Sequence, residues 1–164
     1  MSELLAVIDG ELAARVRADK SGRLSLEYES GWRRLRTSHS LSLSMPLSGA
    51  TCPHRPVWAY LWNLLPEDPN VLRRWGRQYQ VSPANPFKLL AHVGADVPGA
   101  AQFIPPEGLQ EIRSTKKPAI EWIGISELAE RLRQLSADAA AVRRLSDIGR
   151  VSLPGAQAKS AYFW

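Results

Sequence analysis

Asp9-Gly10 constrains this chain more than any other pair in its 164 residues. Both residues tolerate positive φ, which a two-residue hairpin turn demands at its two central positions. The flanking apolar runs, Leu4–Ile8 and Leu12–Ala18, are therefore predicted to be antiparallel strands joined directly. On the second run Leu12, Ala14, Val16 and Ala18 alternate with Arg15 and Arg17, giving one apolar and one wet face. Lys20-Ser21-Gly22 makes the next turn. Leu24, Leu26 and Tyr28 then alternate with Ser25 and Glu27 as a third strand. After the basic segment Arg33, Arg34 and Arg36, "HSLSLSMPL" alternates Leu41, Leu43 and Met45 with Ser42 and Ser44. It reads as a further strand whose small polar side is tightly covered or close to a partner.

From Pro56 the period changes. Val57, Trp58, Leu61, Leu64 and Leu65 recur at helical spacing, with Pro56 in the first turn and Pro66 as the stop. Asp68-Pro69 reads as N-cap and first residue of a second helix. That helix turns Val71, Leu72, Trp75 and Tyr79 inward and Arg73, Arg74 and Arg77 outward. Asn85-Pro86 repeats the cap before "FKLLAHVG", where Gly94 is placed as the residue just past the helix end. "PGAAQFIP" returns to a short strand. Pro105–Pro118 is polar, proline-rich and aperiodic, as a linker would be. Beyond it Ser126 can cap "ISELAERLRQL", with Leu128, Leu132 and Leu135 on one face and a Glu127–Arg131 pair on the other. Asp138 can cap a short helix through Val142 and Leu145. The expected fold is α+β, a small antiparallel meander or barrel-like sheet with packed helices. The expected division is 1–105, a linker over 106–120, and a second part over 121–164.

Composition sets outer bounds. Six tryptophans in a chain that is 45% hydrophobic are enough for a substantial core. One cysteine, Cys52, excludes an internal disulfide framework. No apolar run reaches the roughly 20 residues of a membrane helix, and the start lacks the basic and apolar regions of a signal peptide. A cytoplasmic protein with no membrane contact is expected. A net charge of +5 and a pI of about 9.7 are compatible with acidic partners without identifying one.

Little in the sequence carries chemistry by itself. His39, His54 and His92 share no ligand spacing, and one cysteine cannot build a zinc site, so no metal site is expected. Cys52 with His54 has no supporting motif for a nucleophile–base pair. Glu67 and Asp68, between Pro66 and Pro69, read as capping and turn chemistry. The arginine clusters Arg33, Arg34, Arg36 and Arg73, Arg74, Arg77 could hold phosphates, although a solvated face is the commoner use. The C-terminal stretch "SLPGAQAKSAY" lays small residues and one glycine between two strand-like segments. It is neither a Walker A motif nor a two-glycine kinase loop. Its backbone donors, flanked by Ser152 and Lys159, could still cradle a phosphate, and a plain hairpin turn is the alternative.

Taken in order, "LSLSMPL", "NLLPEDPNVLRRWGRQYQVSPANPFKLLAHVGADVPGAAQFIP" and "SLPGAQAKSA" make the chain resemble the HipA family, serine/threonine kinases of bacterial toxin–antitoxin modules. The resemblance runs from Met1 to the last residue. Its most specific parts are N-L-L-P-[DE]-x-P (Asn63–Pro69), P-F-x-L-L-x-x-x-G (Pro86–Gly94) and S-x-x-G-A-Q-x-K (Ser152–Lys159). It implies an accessory N-terminal subdomain to about residue 105, then the start of a kinase N-lobe. It implies that Pro154, Gly155, Ala156, Gln157, Ala158 and Lys159 cover the phosphates of ATP, with Mg as the companion ion. Ser152 matches the serine that family members phosphorylate on themselves to eject the loop. The implied partners are a HipB-like DNA-binding antitoxin, DNA indirectly through it, and a protein substrate such as an aminoacyl-tRNA synthetase.

A kinase also needs a lysine on a later strand, a catalytic aspartate and asparagine, and a metal-binding aspartate. None can be assigned in these 164 residues. The expectation is therefore a fragment of a longer toxin, inactive alone. The alternative is a separate accessory module that docks on a kinase or on a DNA-binding antitoxin.

Overall fold

The computed structural model describes residues 2–49, 51–110 and 122–137, with side-chain surroundings to residue 134. It is α+β. Strands β1 (Ser2–Ile8), β2 (Glu11–Ala18), β3 (Leu24–Tyr28) and β4 (Ala101–Ile104) form one antiparallel sheet in the order β3-β2-β1-β4. Between β3 and β4 run helices α1 (Ser30–Arg34), α2 (His54–Asn63), α3 (Pro69–Gln78) and α4 (Pro86–Val93). Helix α5 spans Ile125–Ala137. Among the described residues no helix is long and apolar enough to cross a membrane.

The first hairpin turns as its sequence requires, with φ of 50° at Asp9 and 79° at Gly10. The second is held by Asp19, whose carboxylate accepts from the Ser21 hydroxyl, the Ser21 N–H and the Arg23 N–H. These bonds hold its pKa below the usual carboxylate range, the Ser21 hydroxyl contributing most. Helices α3 and α4 begin as expected. Asp68 accepts from the Asn70 N–H at 2.8 Å and Asn85 from the Lys88 N–H at 3.1 Å, each with proline next in line.

Both faces of the sheet are apolar over part of their area. Leu4, Ala6, Ile8, Ala14, Val16, Leu24, Leu26, Tyr28, Ala101 and Phe103 point into the main core beneath the helices. There they meet Val57 and Leu61 of α2, Val71 and Trp75 of α3, and Phe87, Leu89, Leu90 and Val93 of α4. Burying each of these large side chains contributes roughly 1.5–3 kcal/mol. The opposite face carries a smaller cluster of Leu5, Val7 and Ile104, with Leu12 and Leu109 packed on it. A 3₁₀ turn at Pro106–Gly108, at the start of the expected linker, brings Leu109 there.

Four expectations are corrected. Leu12 does not share a face with Ala14 and Val16. The pairing passes from Ala6↔Ala14 to Val7↔Leu12, so Ala13 is an extra residue. This bulge turns Leu12 to the second face. The segment "HSLSLSMPL" is not a strand. It makes a tight turn in which Ser42 and Met45 form an isolated bridge, and Leu43 at its tip is 97% exposed. Gly94 is a right-handed C-cap with φ of −70°, so its absent side chain answers close approach rather than a left-handed backbone. Finally α5 starts at Ile125, which places Ser126 in its first turn instead of at its cap.

Candidate functional site

Ser152, Pro154, Gly155, Ala156, Gln157, Ala158 and Lys159, the sequence-derived nucleotide loop and its phosphorylation site, lie outside the described residues, as does the helix expected after Asp138. The other two segments that carry the resemblance are described, and both serve the scaffold. Within Asn63–Pro69, α2 ends at Asn63, Leu64 and Leu65 enter the core, and Asp68 caps α3. Pro86–Gly94 is α4 with its C-cap, buried through Phe87, Leu89, Leu90 and Val93.

Cys52 and His54 do not make a nucleophile–base pair. Cys52 is buried, and burial pushes its thiol pKa up, away from the reactive thiolate. Its backbone pairs with Leu26 on the β3 edge. His54 at the start of α2 accepts the Leu24 N–H on Nδ1 at 2.9 Å. Its ring holds the β3 entry in place. No group of metal-ligating side chains gathers among the described residues.

Charge on the second sheet face is internally matched. Glu3 receives Arg15 at 3.1 Å and Arg17 at 2.9 Å; Arg15 also pairs with Glu29, and Arg17 with Glu27 at 2.9 Å. The partners raise both guanidinium pKa values, through Glu29 first for Arg15 and Glu27 first for Arg17. This ladder stitches β1, β2 and β3 together and leaves neither arginine free for a ligand.

The opposite holds beyond Glu29. From Ser30 to Pro66 there is no aspartate, glutamate or lysine, yet there are four arginines, Arg33, Arg34, Arg36 and Arg55. The first three lie exposed at the end of α1 and just after it, as does Leu35. None of the four has an acidic partner among the described residues. A cleft of about 330 Å³ beside α1 is lined by Glu11, Leu12, Glu29, Gly31, Trp32 and Leu35. The acid-free stretch was readable in the sequence; the fixed turn at Leu43 within it was not.

Two buried aromatics bind this region into one piece. Tyr28 donates its hydroxyl proton to the Met45 carbonyl at 2.7 Å and accepts the Leu41 N–H at 2.8 Å. Burial raises the pKa of its phenol, so it stays a donor. Trp32 of α1 donates from Nε1 to the His39 carbonyl at 3.1 Å and meets the His39 ring edge-on. The arrangement fixes the α1 end and the Ser42–Met45 turn in one piece.

A family model described as HipA N-terminal domain matches residues 4–104. The chain is 30% identical over 158 residues to "Putative kinase Y4mE" of Sinorhizobium fredii, which covers 92% of this chain and 36% of that protein. Its fold is similar to a chain in a solved complex of the Shewanella oneidensis MR-1 toxin–antitoxin system, HipA and HipB with operator DNA. That match has a TM-score of 0.61 at 23% identity and covers 79% of this chain and 29% of the other. The chain thus spans 36% and 29% of the lengths of these two proteins.

Proposed function

Because this chain belongs to the HipA N-terminal domain family, we propose that it forms the N-terminal part of a HipA-like serine/threonine kinase toxin. In this reading Pro154–Lys159 covers the phosphates of ATP bound with Mg. With the catalytic elements present, phosphate passes to a protein such as an aminoacyl-tRNA synthetase. The observation that carries the reading is the reach of the kinase match: 92% of the chain aligns, well beyond the family-matched 4–104. A HipB-like antitoxin is the proposed partner, with DNA contacted through it, because the similar solved chain comes from a HipA–HipB–operator complex.

The chain's own residues take limited roles. Small side chains at Gly155, Ala156 and Ala158 would let backbone N–H groups approach phosphate oxygens, and Lys159 would add a positive charge. A phosphate on Ser152 would add nearly two negative charges at the same place, and repulsion would then expel nucleotide. The second reading, a separate accessory module without catalysis, is favoured by the domain over 4–104, whose core draws on all four strands.

Labelled ATP and magnesium test the proposal, using the 164-residue chain and a longer version carrying the kinase catalytic elements. Transfer is expected only from the longer version, and Lys159→Ala should abolish it. There Ser152→Ala should keep ATP binding and lose self-inactivation, while Ser152→Asp and Gly155→Val should lose nucleotide affinity. A longer version that binds no ATP, or a Ser152→Asp variant that binds as well as its parent, overturns the loop assignment.

A further inference from the structure

We infer that the turn Ser42–Met45, together with the end of α1, is a docking surface for an acidic amphipathic helix of another protein. Leu43 is the anchor, and Arg33, Arg34 and Arg36 supply the charge. Four observations converge on it.

Leu43 is 97% exposed, so it contributes nothing to the packing of the described residues. A partner that covered this side chain would gain the free energy of removing a whole leucine from water. The turn is also rigidly built. The Met45 N–H donates to the Ser42 carbonyl at 2.9 Å, and the Ser42 hydroxyl accepts the Ser44 N–H at 3.3 Å and bonds the Ser44 hydroxyl at 3.0 Å. Met45 is fully buried, and Tyr28 pins the chain at Leu41 and Met45. An anchor fixed before binding loses little conformational freedom on docking.

The third observation is charge. Arg33, Arg34 and Arg36 have no acidic partner among the described residues, and the 30–66 stretch around them contains no acid. The α1 end is fastened to this loop by the Trp32–His39 hydrogen bond. The fourth is residue type. The positive charge is all arginine, with exposed Leu35 between Arg34 and Arg36. Arginine beside apolar anchors marks protein interfaces, where lysine is depleted. A phosphate backbone would leave Leu35 and Leu43 without a partner. On a helix, four side chains at i, i+3, i+4 and i+7 form a hole that accepts one leucine knob, and flanking carboxylates complete the match. The inference does not depend on ATP binding or phosphate transfer.

The test uses the full 164-residue chain and a synthetic helical peptide of glutamate with leucines at i, i+3, i+4 and i+7. Fluorescence anisotropy should show saturable binding that weakens as salt rises. Leu43→Ala should weaken it by about tenfold or more, the scale of an interface anchor. Arg33→Gln with Arg36→Gln should weaken it and flatten the salt dependence. Thermal melting of both variants should match the parent, since these side chains are exposed. A peptide with lysine for glutamate should not bind. Absence of binding overturns the inference, as does equal binding by Leu43→Ala. Tighter arginine-dependent binding to duplex DNA than to the peptide also overturns it and reassigns the arginines to phosphate.

Discussion

Gly94 and Phe103 meet backbone to backbone where α4 hands the chain to β4. The Phe103 N–H donates to the Gly94 carbonyl at 2.7 Å, and a Cβ on Gly94 would lie 2.2 Å from the Phe103 oxygen and 2.4 Å from the Leu90 oxygen. Neither oxygen can swing aside as a side chain could. Gly94→Ala should therefore destabilise the domain by about 3 kcal/mol, the upper range for overpacking. Urea unfolding checks this; the midpoint should fall with little change in slope.

Tyr28→Phe removes one oxygen and strands two groups, the Leu41 N–H and the Met45 carbonyl. The expected cost is about 1–3 kcal/mol. Hydrogen exchange at Leu41 should accelerate beyond the global change, because that amide loses the hydroxyl that accepts from it.

The two proline-assisted helix caps can be tested separately. Asp68→Ala and Asn85→Ala should each cost about 1 kcal/mol, whereas Asp68→Asn should cost little because the amide oxygen still caps. The caps belong to different helices, and the double alanine variant should be additive within about 0.5 kcal/mol. Chemical denaturation of the four variants decides the matter.

Burial raises the Cys52 thiol pKa above its ordinary value of 9.0. A raised folded value favours the folded state fully below the unfolded thiol's pKa, and the benefit shrinks as pH climbs above it. The stability difference between the parent and Cys52→Ala should narrow above about pH 9 for this reason. Iodoacetamide at pH 8 should label native protein more than about tenfold more slowly than urea-unfolded protein.

Much of this architecture was legible because local chemistry decides it. Asp9-Gly10 admits one kind of turn, and Asp68-Pro69 and Asn85-Pro86 start helices by supplying an acceptor and a preset φ. What escaped depends on tertiary context. The alternation of Leu41, Leu43 and Met45 fits a strand, yet the Tyr28 hydroxyl claims Leu41 and Met45 and closes the chain into a turn. The Ala13 bulge leaves no mark in composition, since alanine fits either face. Gly94 looked like a helix terminator because the crowding that requires it comes from Phe103, nine residues on. Of the site, the arginines were visible as a cluster. Their isolation from acids became informative only once the second-face arginines, Arg15 and Arg17, proved to be paired.

The bulge at Ala13 also sets an exit direction. By turning Leu12 to the second face, it completes the small platform on which Leu109 rests. The chain leaving β4 is therefore moored on the side of the sheet away from α2, α3 and α4. For anything tethered beyond Leu109, the starting point of its reach is this mooring, with the sheet standing between it and the helical layer. Replacing Leu12 with serine would loosen the mooring while the main core, which Leu12 does not join, stayed whole. The domain would keep its shape and lose its bearing.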